Sequence, residues 1–180
     1  MGHMVPFPNP GGARVGVKDV ALDLLRQHDM AETVPVPIIE LCNREGVEVR
    51  ETLFTESGVS GLIIGRDGQF SIYVNRDEPK TRKRFTIAHE LGHYILHLRG
   101  KRDNGGFRDS QSTIRTVFRR AGDSSIEERE ANQFAAALLM PETLVREYGP
   151  VSDAVALGSI FGVSAEAMRI RLEDGLYVRR

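Results

Sequence analysis

The chain has 180 residues and a mass of 20.0 kDa, which is the size of one domain with a single hydrophobic core. Its formal net charge of −1 argues against a strongly basic nucleic-acid-binding protein. The single cysteine, Cys42, excludes an internal disulfide framework and a thiolate metal site with C-x-x-C spacing. The sequence contains no run of 18 apolar residues and no secretory signal, so we expect a cytoplasmic protein without a membrane span.

The N-terminal part begins with a segment rich in proline and glycine and continues with two short helices. Residues 1–16 are predicted to form a disordered tail that starts with a cloning remnant. The apolar periodicity predicts a helix over Val17–Met30. Pro35 and Pro37 favour the start of a second helix that ends at Asn43.

The next segment changes to the two-residue period of β-strands. Val47–Glu51 alternates, and two further runs flank Asp67-Gly68, a dipeptide typical of hairpin turns. These runs, Gly58–Gly65 and Gln69–Asn75, complete a predicted small antiparallel sheet. We place Gly58–Gly65 at the sheet edge, where it could hold an extended peptide by main-chain hydrogen bonds. The alternative, that this strand only lines the core, is equally compatible with the sequence.

The segment that follows carries the pattern H-E-x-x-H at residues 89–93, in a helix predicted to begin at Asp77–Pro79. Residues four apart on a helix lie on one face, about 6 Å apart along the axis, so His89 and His93 can hold one Zn²⁺. Glu90 can then act as a general base toward a water molecule at the metal. The alternative interpretation is two ordinary histidines on an amphipathic helix.

Three other features of this segment bear on the site. Gly92 weakens a helix, which is easier to understand if another element approaches closely at that point. His97 shares the face of His89 but lies about 12 Å farther along the axis, too far to bind the same ion. Tyr73, Tyr94 and Tyr148 are alternatives for stabilising an oxyanion, and the sequence does not choose among them.

A zinc peptidase requires a third protein ligand, and no further histidine follows at a suitable spacing. A carboxylate from the predicted helix within 124–141 is the expected substitute. Glu127 and Glu128 both reach its buried stripe, whereas Glu130 points away. Helix capping from Ser125 is an alternative role for Glu128. The preceding residues 99–123 are predicted to be a long loop, either a lid or a flexible insert, with a short element at Thr113–Phe118.

The C-terminal part has the order helix, G-V-S turn, helix, which also occurs in helix-turn-helix DNA-binding proteins. Arg169 and Arg171 could then contact phosphates. We favour two packing helices instead, because the chain has no basic surplus. The predicted core residues of these helices are Val155, Leu157, Ile160, Phe161, Val163, Met168 and Leu172.

Two blocks of the sequence resemble the ImmA/IrrE family of zinc metallopeptidases. They are R-F-T-I-A-H-E-L-G-H at 84–93 and E-R-E-A-N-Q-F-A-A-A-L-L-M-P at 128–141. The resemblance implies a gluzincin-like site in which His89, His93 and Glu128 bind Zn²⁺ and Glu90 is the base. It also implies an α+β fold: a small zincin-like domain with a short antiparallel sheet packed on the H-E-x-x-H helix.

The same resemblance implies a function. Members of the family are bacterial and phage-encoded endopeptidases, several of which cut a helix-turn-helix repressor and so derepress its genes. We therefore expect a zinc-dependent endopeptidase acting on an XRE-like repressor, without direct DNA binding. The peptidase domain is predicted to span 17–148, with a C-terminal helical segment, 149–180, packed on it. The alternative is a non-catalytic regulatory module that uses a zincin fold to bind DNA or a repressor.

Overall fold

The structure, a computed structural model, describes residues 16–100, 113–119, 125–149 and 153–175. This part of the chain forms seven α-helices, one π-helical segment and four strands, an α+β arrangement that confirms the predicted fold class. The elements, in chain order, are α1 (Val17–Gln27), α2 (Ile38–Arg44), β1 (Val47–Thr52), β2 (Val59–Arg66), β3 (Gln69–Asn75), α3 (Lys80–His93), the π-helical segment Tyr94–Leu98, β4 (Thr113–Arg119), α4 (Ile126–Leu139), α5 (Glu142–Tyr148), α6 (Ala154–Phe161) and α7 (Ala165–Gly175). Apart from Gly16, the predicted disordered tail lies outside the described residues.

The strands form one mixed sheet in the order β1-β3-β2-β4. The predicted hairpin is confirmed: β2 and β3 pair antiparallel around Asp67 and Gly68, whose φ angles of 52° and 76° are both positive. A two-residue loop with both φ positive is a type I′ turn, whose twist matches that of the flanking strands. One pairing differs from the expectation of an antiparallel sheet, because β1 runs parallel to β3.

The predicted edge position of Gly58–Gly65 is wrong. β2 lies between β3 and β4, and its first five residues are all buried. The physical reason is a distant pairing: the short element predicted within the long loop is strand β4, which hydrogen-bonds to β2 over almost its whole length. Among the described strands, β1 and β4 are therefore the edges.

Helix α3 packs closely on this sheet. A Cβ atom at Gly61 of β2 would lie 2.4 Å from Cγ2 of Thr86, so only glycine allows the helix to approach this far. Arg84, two residues before Thr86, fixes the same half of the helix to other parts of the chain: its Nε donates to the carbonyl of Gly162 (3.0 Å) and its Nη2 to that of Val36 (2.9 Å). These bonds orient the H-E-x-x-H helix relative to the turn between α6 and α7.

The core is one hydrophobic cluster to which α1, the sheet, α3, α4 and the two C-terminal helices all contribute. From the C-terminal helices and the turn between them, Leu157, Phe161, Val163 and Met168 are buried in it. Ile160 and Leu172 are only partly buried. The prediction that Val155 is a core residue is wrong: it is 64% exposed in the first turn of α6.

The phosphate-contacting role considered for Arg171 is not compatible with the structure. Arg171 is buried, and its Nε donates to the backbone carbonyl of Met140 at 3.1 Å. Arg169 is exposed and pairs with Glu166 of the same helix. Arg171 thus links the last helix to the end of α4. In the described part of the chain, none of the helices combines the length and the apolar character needed to cross a membrane.

Candidate metal centre

Helices α3 and α4 bring three predicted ligands to one point. His89 and His93 lie one turn apart on α3 and are 0% and 2% exposed. Glu128, in the first turn of α4, is 8% exposed, and its carboxylate oxygens lie 3.2 Å from His89 Nε2 and 3.0 Å from His93 Nε2. The two Nε2 atoms are themselves 3.1 Å apart. The three side chains therefore converge on a common point.

This spacing fits a tetrahedral metal ion. With zinc–ligand bonds of about 2.0–2.1 Å, tetrahedral geometry places neighbouring ligand atoms roughly 3.3–3.4 Å apart. The separation of 3.1 Å between the two Nε2 atoms, and those of 3.2 Å and 3.0 Å from them to Oε2 and Oε1 of Glu128, fall just below that range. Two imidazoles and one carboxylate are also a donor set that zinc binds in catalytic sites. His89, His93 and Glu128 could thus hold a metal ion.

Asn132 prepares one of these histidines for metal binding. His89 Nδ1 donates a hydrogen bond to Asn132 Oδ1 at 3.1 Å, which puts the ring proton on Nδ1. The lone pair is then on Nε2, the atom directed at the other two ligands. Sequence reasoning missed Asn132, although it lies four residues after Glu128, one helical turn farther along the same face of α4.

Burial keeps both histidines uncharged. Removal from water lowers the pKa of His89 to about 3, with a further contribution from the neighbouring His93 and an opposing one from Asn132. Burial, followed by the charge of His97, lowers the pKa of His93 to about 4. At neutral pH both imidazoles are in the neutral form that binds metals.

We expect the metal-free protein to lose stability as the pH falls from about 6.5 to 4. The folded pKa values of His89 and His93, about 3 and about 4, lie below the value of 6.5 for an unperturbed histidine. In this window the unfolded chain binds more protons than the folded one, so the free energy of unfolding falls by up to about 1.4 kcal/mol per pH unit for each histidine. Urea unfolding at pH 7 and pH 5 measures this, and the H89Q/H93Q double variant should show a shallower dependence. An equal dependence in both proteins would contradict the assignment.

The structure distinguishes the two glutamates between which periodicity could not decide. Glu127 is exposed, whereas Glu128 is buried and directed at the histidines. The capping role is also present: Ser125 Oγ accepts a hydrogen bond from the backbone N–H of Glu128 at 3.2 Å. Capping uses the backbone of Glu128 and leaves its carboxylate for the histidines, so the two roles coexist.

Glu90 lies within the same turn of α3 and is 0% exposed. His97 lies one turn beyond His93, and its Nε2 is 3.7 Å from a carboxylate oxygen of Glu130, whose side chain is 39% exposed. Tyr94 is buried with its ring 4.9 Å from that of Phe70, and Tyr148 packs edge-on against Phe161. None of these contacts selects a residue for oxyanion stabilisation.

Gly92 allows α3 and α4 to pack at short range, as its place in the helix indicated. A Cβ atom at this position would lie 3.0 Å from a ring carbon of Phe134, 3.2 Å from the Cα of Ala131 and 3.3 Å from its carbonyl oxygen. Two of these three neighbours are backbone atoms of α4, which cannot move aside without moving the helix. The distance between the histidines and Glu128 therefore depends on a glycine at position 92.

Gly92→Ala should separate the two helices by a few tenths of an ångström and destabilise the protein by about 1–3 kcal/mol. Because the shift also moves Glu128 away from the histidines, metal affinity should fall. The matched control is Gly149→Ala, since nothing lies within 4 Å of an added Cβ there and the backbone is helical. Urea unfolding and metal titration of both variants check this expectation. Two equally stable variants with unchanged metal affinity would contradict it.

Comparisons with known proteins show the family of the chain. The sequence profile of the Peptidase M78 family, described as IrrE N-terminal-like domain, matches residues 42–173, a range that includes all the residues of the centre. The chain is 33% identical over 122 residues to the radiation response metalloprotease IrrE of Deinococcus radiodurans. That alignment covers 59% of this chain and 35% of the relative, so the chain spans about a third of the relative's length.

A solved structure, a transcriptional regulator of Mycobacterium tuberculosis, has a similar fold with a TM-score of 0.57. The match covers 89% of this chain and 48% of the other at 20% sequence identity. At that identity the likeness concerns the fold alone.

Proposed function

Because the chain belongs to the family of the IrrE N-terminal-like domain, as the sequence predicted, we propose that it is a zinc-dependent endopeptidase. His89, His93 and Glu128 hold the metal in this proposal, and Glu90 is the general base. The observation that carries it is the convergence of three buried ligand side chains from two helices: the two Nε2 atoms lie 3.1 Å apart, and the two carboxylate oxygens of Glu128 lie 3.2 Å and 3.0 Å from them.

In the proposed hydrolysis, the side chains of the metal centre have separate roles. When bound, zinc would lower the pKa of a coordinated water to around 7 and polarise the carbonyl of the scissile bond. Glu90 accepts a proton from the attacking water as its oxygen bonds to the carbonyl carbon. As the carbon–nitrogen bond breaks, Glu90 returns that proton to the leaving amine. Asn132 keeps the proton of His89 on Nδ1, so that Nε2 remains a ligand throughout.

The substrate we propose is an XRE-like helix-turn-helix repressor, whose cleavage would derepress its genes. Support comes from the family resemblance and from the relative in Deinococcus radiodurans, which is named a radiation response metalloprotease. A cytoplasmic location follows as part of the same proposal.

Strand β4 is the candidate for holding this substrate. It lies at one edge of the described sheet, where β2 is its neighbour. An extended peptide could add to such an edge through main-chain hydrogen bonds. β4 also contacts α3, the helix that carries the histidines, so a peptide paired with it would lie close to the catalytic helix.

The function is tested by incubating the protein with the repressor encoded beside its gene, with and without 1,10-phenanthroline. We expect cleavage at a defined site, loss of cleavage with the chelator and recovery on adding zinc. Stoichiometric binding without cleavage in the presence of zinc would overturn the proposal and favour a non-catalytic regulatory module.

A further inference from the structure

A cavity of about 790 Å³ opens beside the metal centre, between the start of α1, the N-terminal half of α3, the C-terminal half of α4 and α7. This volume lies within the range of sites for small-molecule ligands. Its wall is largely apolar. The apolar contributors include Phe85, Ala136, Met140, Ala167 and Ile170.

The cavity adjoins the metal centre through one residue, Asn132. Asn132 lines the cavity and also accepts the hydrogen bond from His89 Nδ1. The two nitrogens of an imidazole point in diverging directions, so Asn132 is on the opposite side of the ring from Nε2. His89, His93 and Glu128 do not line the cavity. A molecule bound there would contact Asn132 without covering the point where the ligand atoms converge.

Among the described residues that line the cavity, cationic side chains outnumber acidic ones. Three cationic side chains line it: Lys18, Arg82 and Arg171. Of its two acidic side chains, Glu166 pairs with Arg169 of the same helix, whereas Glu78 accepts a hydrogen bond from the uncharged hydroxyl of Ser60 at 3.1 Å and keeps its negative charge. With Glu166 offset by Arg169, three positive charges remain against the one negative charge of Glu78, so the described surroundings favour an anion over a cation.

We propose that the cavity binds a small amphipathic carboxylate and that the bound molecule regulates the metal centre through Asn132. The apolar body of the molecule lies against Phe85, Ala136 and Ile170, and its carboxylate lies at Lys18 and Arg82. By contacting Asn132, the molecule changes the hydrogen bond that orients His89. Binding itself is independent of peptidase activity, whereas the regulatory part depends on the metal centre proposed above.

Binding is tested by calorimetric titration of the full-length, metal-free protein with sodium decanoate below its micellar concentration. We expect saturable binding with one site per chain, and weaker binding of uncharged decan-1-ol. Ala136→Trp should fill the cavity and weaken decanoate binding at least tenfold, and Lys18→Gln should weaken it severalfold. The matched control, Ala156→Trp, places the same side chain on an exposed position of α6 and should bind as the wild type.

Several results would overturn the binding site. They are the absence of saturable binding, equal binding by Ala136→Trp, and equal affinity for decan-1-ol. Binding that appears only after deletion of residues 1–15 would show that the chain's own N-terminal segment is the occupant, and would overturn it equally.

Regulation is tested by measuring zinc affinity with and without saturating decanoate. We expect decanoate to change the zinc affinity of the wild type at least threefold. Asn132→Ala should bind zinc 10- to 100-fold more weakly in the absence of decanoate, the usual loss when the hydrogen-bond partner of a ligating histidine is removed. Decanoate should no longer change that affinity. An equal response to decanoate in both proteins, or none in the wild type, would contradict a role for Asn132.

Discussion

Replacing Glu90 by glutamine should lower the rate of peptide cleavage by about 10²–10⁴-fold and leave zinc bound, the size of effect usual for a general base. Glutamine has nearly the shape of glutamate but cannot accept a proton from the attacking water. Glu90 is fully buried within α3, so an isosteric replacement is the change least disturbing to its surroundings. Initial rates with the repressor substrate, together with the zinc content of each preparation, measure the effect.

The control for this variant is Glu127→Gln, the same substitution on an exposed residue of α4. It should cleave at the wild-type rate. If the position 90 variant cleaved as fast as the control while both held zinc, Glu90 could not be the base.

Removing Glu128 is expected to have the largest effect on metal binding. Glu128→Ala eliminates one of three ligand side chains and the only carboxylate among them, so zinc affinity should fall by about 100-fold or more. Cleavage should fall with it at stoichiometric zinc and recover in part at high zinc concentration. Competition titrations with a chromophoric chelator give the affinities directly.

Glu127→Ala tests the alternative that periodicity left open. The side chain of Glu127 is exposed, although Glu127 directly precedes Glu128 in the sequence. Its removal should therefore leave the zinc affinity unchanged. A loss of zinc on Glu127→Ala with retention on Glu128→Ala would reverse the two roles and contradict the geometry of α4.

Local patterns in the sequence predicted several elements and the spacing of the two histidines. The dipeptide Asp67-Gly68 defined the hairpin, because a two-residue loop of this composition strongly prefers one turn type. The H-E-x-x-H spacing alone placed both histidines on one helical face. Gly92 indicated a close approach, which the structure identifies as contact with α4.

The features that could not be predicted depend on contacts between distant parts of the chain. Whether Gly58–Gly65 is an edge depends on β4, which follows much later and was predicted only as a short element in a long loop. The burial of Arg171 depends on the carbonyl of Met140, a contact between α7 and the end of α4. Periodicity describes one element at a time, so it cannot report such pairings.

The choice of Glu128 over Glu127 also depends on a contact between distant parts of the chain. Both residues follow a helical period that points toward the core, and only the position of α3 beside α4 determines which carboxylate meets the histidines. The family resemblance favoured Glu128 because the family's sequence pattern marks the position of the third ligand, which periodicity does not.

The metal centre can be located directly by anomalous scattering from crystals of the zinc-loaded protein, measured on both sides of the zinc absorption edge. We predict one peak per chain, about 2.0–2.2 Å from Nε2 of His89, Nε2 of His93 and a carboxylate oxygen of Glu128. A zinc peak bound elsewhere on the chain, with these three side chains in contact only with one another, would contradict this prediction.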